Sequence, residues 1–238
     1  EGQPPAPSYF VYDAVLNRKD RPLLDEHAPL DALDLDAVLA LVDGGAVLLD
    51  GRSPEEFARG HLVGSVNVGL EGRYAEFAGS VVPSDVDIVL LVDPGFEVEA
   101  RNRLGRIGFD RVVGYLADPL AVMAAHPDRT SRASRLTVPE FERRRAEVEG
   151  LQVVDIRNPG EIAIGSIAGS IAIPVGQLPA RTDELDPDAP TVVYCAGGYR
   201  SSVAASVLRQ TGFSDVSDLL GGYGAWLEFT GPGLPAPT

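Results

Sequence analysis

The chain has 238 residues, of which 45% are hydrophobic and 23% are charged, as is typical of a protein that folds around a packed core. Its net charge of −15 argues against nucleic acids and anionic membranes as partners, because both reward basic surfaces. No apolar run approaches the roughly 20 residues of a membrane span, and a single cysteine cannot form an internal disulfide, so we expect a cytoplasmic protein.

Helices alternate with short apolar strands along the whole chain. In chain order we predict a helix over 34–42, a strand over 46–49, a helical turn begun by Pro54, strands over 65–68 and 88–92, a helix over 97–107 and a strand over 111–115. The second half predicts the same series, as a helix over 138–148, strands over 151–156, 170–173 and 191–194, a helix over 201–211 and a strand over 215–219. Apolar strands that alternate with helices form mostly parallel sheets with helices on both faces, so we predict an α/β fold.

The two halves are copies of one another. Residues 50–65 align without gaps with residues 155–170, and eight of these positions are identical. A repeat of about a hundred residues is too long for a solenoid, so each copy is expected to be a domain. We predict an N-terminal extension or junction over 1–30, domains over 31–118 and 136–230, a linker over 119–135 and a tail over 231–238.

Cys195, the only cysteine, lies at the end of an apolar strand and opens the loop Ala196-Gly197-Gly198-Tyr199-Arg200. A strand, a glycine-containing loop and a helix in this order turn backbone N–H groups inward and form an anion-binding concavity. We therefore predict that Cys195 is a nucleophile, since the reactive form is the thiolate. A buried structural cysteine is the alternative, and the flanking glycines and Arg200 argue against it.

Each loop residue has an ordinary interpretation beside the functional one. Arg200 either pairs with an acidic neighbour or binds an anionic substrate, and its place in the loop favours the substrate. Gly197 and Gly198 are either plain turn residues or points where the backbone approaches a ligand closely. Tyr199 is expected to line the mouth of the pocket.

The first copy is predicted to be inactive. Its corresponding loop, residues 93–97, is two residues shorter, has no cysteine, has the carboxylate of Asp93 near the place of the cysteine, and loses one amide at Pro94. Both copies nevertheless keep an aspartate and an arginine two positions apart, as Asp50 with Arg52 and as Asp155 with Arg157. Because the inactive copy keeps them, we interpret them as a structural pair.

Other cysteine chemistries fit the sequence less well. The domain predicted over 136–230 contains no histidine, which excludes a Cys-His dyad within that domain and argues against a cysteine protease. Four residues separate Cys195 from Arg200, one fewer than in cysteine-dependent phosphatases, so a tighter ring of amides should suit one sulfur atom better than a phosphate. A phosphatase stays the less favoured alternative. The three histidines are far apart in sequence, and we expect no metal and no cofactor.

With these motifs the chain resembles the tandem rhodaneses, a family of thiosulfate and persulfide sulfurtransferases. The resemblance rests on residues 155–161, 165, 169–170, 195–201 and 220–226. It implies that Cys195 takes a sulfane sulfur from thiosulfate or a persulfide, and passes it to a thiol or to cyanide. It also implies that the sulfur is held by the substrate-binding residues Ala196, Gly197, Gly198, Tyr199, Arg200 and Ser201.

Residues 8–27 resemble a junction between two domains. The likeness is to the segment that joins a metallo-β-lactamase-like persulfide dioxygenase domain to rhodanese repeats in fusion proteins. It implies such a dioxygenase as a partner, in the same chain or in another. A second hypothesis follows, in which the chain is a sulfur carrier or docking module of a larger sulfide-oxidising enzyme.

Overall fold

The structure, a computed structural model, describes residues 25–231. These residues form two compact units, which we name the first unit (25–132) and the second unit (133–231). Most of the expected N-terminal extension, including the junction-like segment up to residue 24, lies outside the described residues, as does the tail beyond Gly231. Within 25–231, no helix is long and apolar enough to cross a membrane.

The first unit is built on a five-stranded sheet in which every neighbouring pair of strands is parallel. Its strand order is β1-β6-β5-β2-β4. The elements in chain order are β1 (Ala32–Leu33), α1 (Leu35–Asp43), β2 (Val47–Asp50), α2 (Pro54–Arg59), β3 (His61–Leu62), β4 (Val66–Asn67), α3 (Tyr74–Val81), β5 (Ile88–Leu91), α4 (Glu97–Gly105), β6 (Val112–Leu116), α5 (Pro119–Ala125), a 3₁₀ turn (Pro127–Arg129) and β7 (Thr130–Ser131).

The second unit repeats this plan. Its strand order is β10-β9-β11-β12-β8, again with every pair parallel. The elements in chain order are β8 (Ser134–Leu136), α6 (Val138–Glu147), β9 (Gln152–Asp155), α7 (Pro159–Ile162), β10 (Ile171–Ala172), 3₁₀ turns (Val175–Ala180 and Thr182–Glu184), β11 (Thr191–Tyr194), α8 (Tyr199–Gln210), β12 (Val216–Leu219) and α9 (Gly222–Thr230). Read from β8 to β10, this order corresponds strand by strand to that of the first sheet read from β1 to β4, so the two copies share one topology. The predicted α/β fold is confirmed.

Local signals explain where the helices begin. Pro54 and Pro159 occupy the first turns of α2 and α7, where their missing N–H would have no partner within the helix. Glu56 in α2 accepts a hydrogen bond from the amide of Ser53, and Glu161 in α7 accepts one in the same way. This arrangement, a capping box, satisfies an amide that would otherwise be unpaired.

The hydrophobic core of the second unit lies between its sheet and helices α6 and α9. Its buried members are Val138, Phe141, Val153, Ile167, Val192, Tyr194 and Leu219. All four residues of β11 are buried, because this strand is the central one of five and helices cover both its faces. The strand therefore gives a rigid base to whatever follows its C-terminal end.

The structure also contains elements that the sequence did not predict. The edge strands β1 and β8 have two and three residues, too few to show an alternating pattern. Helix α5 occupies the start of the expected linker over 119–135, and its Met123 is buried in the hydrophobic core of the first unit. That part of the segment is therefore folded with the first unit. Helix α8 begins at Tyr199 and not at Ser201.

Candidate active site

Cys195 is the first residue beyond the C-terminal end of β11. From β9 the chain moves outward to β10 and then returns to β11 on the other side of β9. The connections therefore diverge between β9 and β11, and open parallel sheets bind ligands at the carboxyl ends of strands beside such a point. Cys195 and Asp155, the last residue of β9, both lie at this edge.

The sulfur of Cys195 is turned into the loop that follows it. The residue is 1% exposed, and its Sγ accepts a hydrogen bond from the amide of Gly198 at 3.0 Å. The hydroxyl of Ser201 lies 3.6 Å from Sγ and donates to the carbonyl of Gly198 at 3.1 Å. Gly198 has a φ of +102°, a conformation that favours glycine. The loop thus surrounds the sulfur with polar groups.

Helix α9 supports the loop from behind. The amide of Tyr223 donates to the carbonyl of Cys195 at 2.7 Å, and the amide of Gly224 donates to that of Ala196 at 3.1 Å. In a trans peptide the C=O and the following N–H point in opposite directions. The amides of Ala196 and Gly197 are therefore directed away from α9. The start of α9 therefore has a structural role in shaping the loop.

Arg200 is paired with a carboxylate. Its two terminal nitrogens each donate to one oxygen of Glu161, both at 2.7 Å. Hydrogen bonding to Glu161 raises the pKa of Arg200 against the effect of burial, and the charge of the Cys195 sulfur adds to the increase. The same bonds with Arg200 lower the pKa of Glu161. Of the two interpretations of Arg200, the structure shows the pairing with an acidic neighbour. Binding of an anionic substrate by Arg200 stays a prediction.

The pairing of Asp155 with Arg157 is confirmed, and it is buried. Arg157 donates to Asp155 at 2.9 and 2.6 Å, and also to the carbonyl of Gly165 at 2.7 Å. The first unit repeats these contacts, with Arg52 donating to Asp50 and to the carbonyl of residue 60. In the first unit the pair links the turn after α2 to the end of β2, and in the second unit it links the turn after α7 to the end of β9. The pair is therefore structural in both units.

Tyr194 completes this network in the second unit alone. Its hydroxyl donates to Asp155 at 2.7 Å and accepts from the amide of Ile167 at 3.1 Å. Burial is the main reason that the pKa of Tyr194 rises to about 12, so the hydroxyl stays protonated at physiological pH. Leu91 stands at the matching position of the first unit, because it pairs with Asp50 as Tyr194 pairs with Asp155. The residue before the cysteine is thus part of the scaffold.

The predicted site residues occupy three different surroundings. Gly198 and Ser201 are buried beside the sulfur. Ala196 and Gly197 form the exposed outer side of the loop, and Tyr199 is half-buried at the start of α8. Sequence reasoning missed Glu161, although the identity of Glu56 and Glu161 in the two copies was a signal for it.

In the corresponding loop of the first unit, one backbone amide is occupied by a side chain from the start of α4. The amide of Gly95 donates to both carboxylate oxygens of Glu97 at 3.0 Å. Burial, followed by the nearby charge of Glu56, raises the pKa of Asp93. The registers of the two sheets place Val92 at the position of Cys195, so the carboxylate of Asp93 lies one residue beyond the place of the cysteine. Among the described residues, no group of three or more His, Cys, Asp and Glu side chains is arranged to hold a metal ion.

Comparison with known domain families identifies both units. The model of the rhodanese-like domain matches twice, at residues 34–117 and 137–229. A sulfurtransferase of Allochromatium vinosum is 40% identical over 95 residues, which are 40% of this chain and 86% of that protein. The thiosulfate sulfurtransferase GlpE of Pseudomonas aeruginosa is 44% identical over 88 residues, which are 37% of this chain and 79% of that protein. A solved rhodanese-related protein of Thermoplasma volcanium is 32% identical, covers 42% of this chain and 95% of its own, and has a TM-score of 0.38. The chain belongs to the rhodanese-like domain family, which it contains in two copies.

Proposed function

We propose that the second unit is a sulfurtransferase in which Cys195 carries the sulfur as a persulfide. The observation that carries this proposal is the Gly198 amide, which donates to Sγ at 3.0 Å in a loop whose Cys195 and Ala196 carbonyls accept from amides of α9. Family membership and relatives named sulfurtransferases support the general activity.

In the first step the Cys195 thiolate attacks the outer sulfur of a donor such as thiosulfate or a hydropersulfide. A new S–S bond forms as the bond inside the donor breaks, and sulfite or a thiolate leaves with the electron pair. The loop amides and the N-terminus of α8 stabilise the negative terminal sulfur of the enzyme persulfide. Gly198 and Ser201 contact the Cys195 sulfur to which this terminal sulfur would be bound.

In the second step an acceptor thiol or cyanide attacks the outer sulfur of the persulfide and restores the Cys195 thiolate. Such double displacement gives ping-pong kinetics. Neither step needs a metal or a redox partner, because the sulfur atom passes from one nucleophile to another without net oxidation or reduction. The cysteine has to stay reduced for this chemistry, which favours the cytoplasm as its compartment.

The proposal is tested by weighing the intact protein after incubation with thiosulfate or with a hydropersulfide. We expect a gain of one sulfur atom, which is lost on adding cyanide and absent in Cys195→Ser. No gain with any small donor would contradict the small-molecule reaction. Fast loading from a persulfidated protein alone would instead favour a carrier that serves a persulfide dioxygenase domain.

The same preparation tests the phosphatase alternative. Arg200, the cation that would hold a phosphate, is engaged by Glu161 through both terminal nitrogens. We therefore expect no Cys195-dependent hydrolysis of an aryl phosphate. Hydrolysis that disappears in Cys195→Ser would contradict the assignment.

A further inference from the structure

Glu161 connects helix α7 to the cysteine loop. Its two oxygens accept from both terminal nitrogens of Arg200 at 2.7 Å, and one oxygen also accepts from the amide of Asn158 at 3.1 Å. The side chains are only 17% and 33% exposed for Arg200 and Glu161. Partial burial makes their mutual charge effect stronger than that of a fully exposed pair. The carboxylate therefore fixes both the position and the effective charge of the guanidinium.

The charges around the sulfur are balanced. Arg200 acts electrostatically on the Cys195 sulfur, but its charge is offset by Glu161. The nearby Arg157 is offset by Asp155 in the same way. Residues 133–231 contain no lysine. Because the two arginines near the sulfur are both paired with carboxylates, attraction of an anion to the cysteine loop depends mainly on its backbone amides, which are dipoles without net charge.

Because the charges of the nearby arginines are neutralised, the site favours donors that carry fewer negative charges. Thiosulfate is a dianion and approaches a negative thiolate, whereas a hydropersulfide or a thiosulfonate carries at most one negative charge at the reacting end. One additional charge a few ångströms from a partly buried anion changes a rate by about tenfold or more. A free arginine would offset that repulsion, and an arginine neutralised by a carboxylate offsets little of it.

We propose that Glu161 is a positioning residue that neutralises Arg200 and so makes the site select monoanionic sulfane-sulfur donors, hydropersulfides above all, over dianionic thiosulfate. This inference rests on the proposed sulfur transfer. With a thiosulfonate, the Cys195 thiolate attacks the outer sulfur, the S–S bond of the donor breaks, and a sulfinate leaves with the electron pair. The charge is the same before and after the step.

The test compares two donors of similar shape that differ by one charge, thiosulfate and methanethiosulfonate. The rate of Cys195 persulfide formation is measured for the full chain and for Glu161→Gln. Glutamine keeps an oxygen for the helix cap and removes the charge. We expect the thiosulfate rate to rise about tenfold relative to the methanethiosulfonate rate, and the change to shrink at high salt.

Glu56→Gln is the matched control, because Glu56 occupies the same place in the first unit and accepts from Ser53 instead of an arginine. It should leave the donor ratio as it is in the natural sequence. If Glu161 only anchors α7, Glu161→Gln slows both donors equally. An unchanged donor ratio would overturn the inference.

A second measurement needs no sulfur transfer. Cys195 is the only cysteine, so alkylation by anionic iodoacetate and by neutral iodoacetamide reports the charge around its sulfur directly. We expect Glu161→Gln to raise the iodoacetate-to-iodoacetamide rate ratio about tenfold. An unchanged ratio would overturn the charge-setting role by itself. A shifted ratio in a protein that accepts sulfur from no donor would keep that role and refute the proposed function.

Discussion

Replacing Gly222 with alanine places a methyl group against the backbone of the cysteine loop. A Cβ at this position would lie 2.2 Å from the carbonyl oxygen of Cys195 and 2.9 Å from that of Ala196. Both partners are backbone atoms, which cannot rotate away as a side chain does. Helix α9 and the loop therefore have to separate, and the hydrogen bonds that hold the loop carbonyls have to lengthen.

The cost of this substitution has two parts. Gly222 has a φ of +57°, where a side chain costs about 1–2 kcal/mol. The overlap with the loop adds about 1–3 kcal/mol, as for other overpacked sites. Gly150 is the matched control in the same unit, with a φ of +73° and nothing within 4 Å of its Cβ position. Gly150→Ala should therefore show only the first part.

Trp226, the only tryptophan, lies in α9 and reports unfolding of the second unit by fluorescence. We expect Gly222→Ala to lower the free energy of unfolding by about 2–5 kcal/mol, against about 1–2 kcal/mol for Gly150→Ala. Where both variants are folded, Gly222→Ala should form the Cys195 persulfide more slowly and Gly150→Ala at the natural rate. Equal stability and equal rates would refute the claim that α9 shapes the loop.

Three further outcomes follow from the site. Tyr194→Phe removes a donor to Asp155, so the second unit should lose about 1.5–3 kcal/mol in a denaturant titration, and a loss near zero would contradict the network. Ser201→Ala removes a hydroxyl beside the sulfur, so persulfide formation in stopped flow should slow about fivefold, the equivalent of about 1 kcal/mol. Because Arg200 lowers the pKa of Glu161 in the folded state, their pair stabilises the fold above the ordinary pKa of 4.5, and this contribution is lost as pH falls through the lower folded value. Glu161→Gln should therefore flatten the acid side of the curve of stability against pH, and an unaltered slope would contradict the pairing.

The parts of the site that sequence predicted are the local ones. The strand, the cysteine and the glycine loop follow one another directly in the sequence. Their order alone therefore predicted that Cys195 lies at the end of β11 and opens a turn. The pairing of Asp155 with Arg157 was predictable because two residues separate them and because the other copy repeats them. Such features depend on neighbours along the chain.

The parts that were missed depend on distant contacts or on very short elements. Glu161 and Arg200 are 39 positions apart, and nothing in a single sequence states which carboxylate meets which arginine. The two-residue strand β1 is defined by its pairing with β6 and shows no periodicity of its own. The contacts of Tyr223 and Gly224 with the loop carbonyls arise only when α9 has folded back. Tertiary packing decides these features.

The most direct test of the central claim is a single-turnover transfer from the isolated persulfide. The protein is loaded with a hydropersulfide, freed of excess donor and mixed with cyanide, and thiocyanate is measured together with the intact mass. We expect one thiocyanate for each loaded Cys195, a return to the unloaded mass, and no thiocyanate from Cys195→Ser. Sulfur that stays on the protein, or transfer that persists in Cys195→Ser, would contradict it.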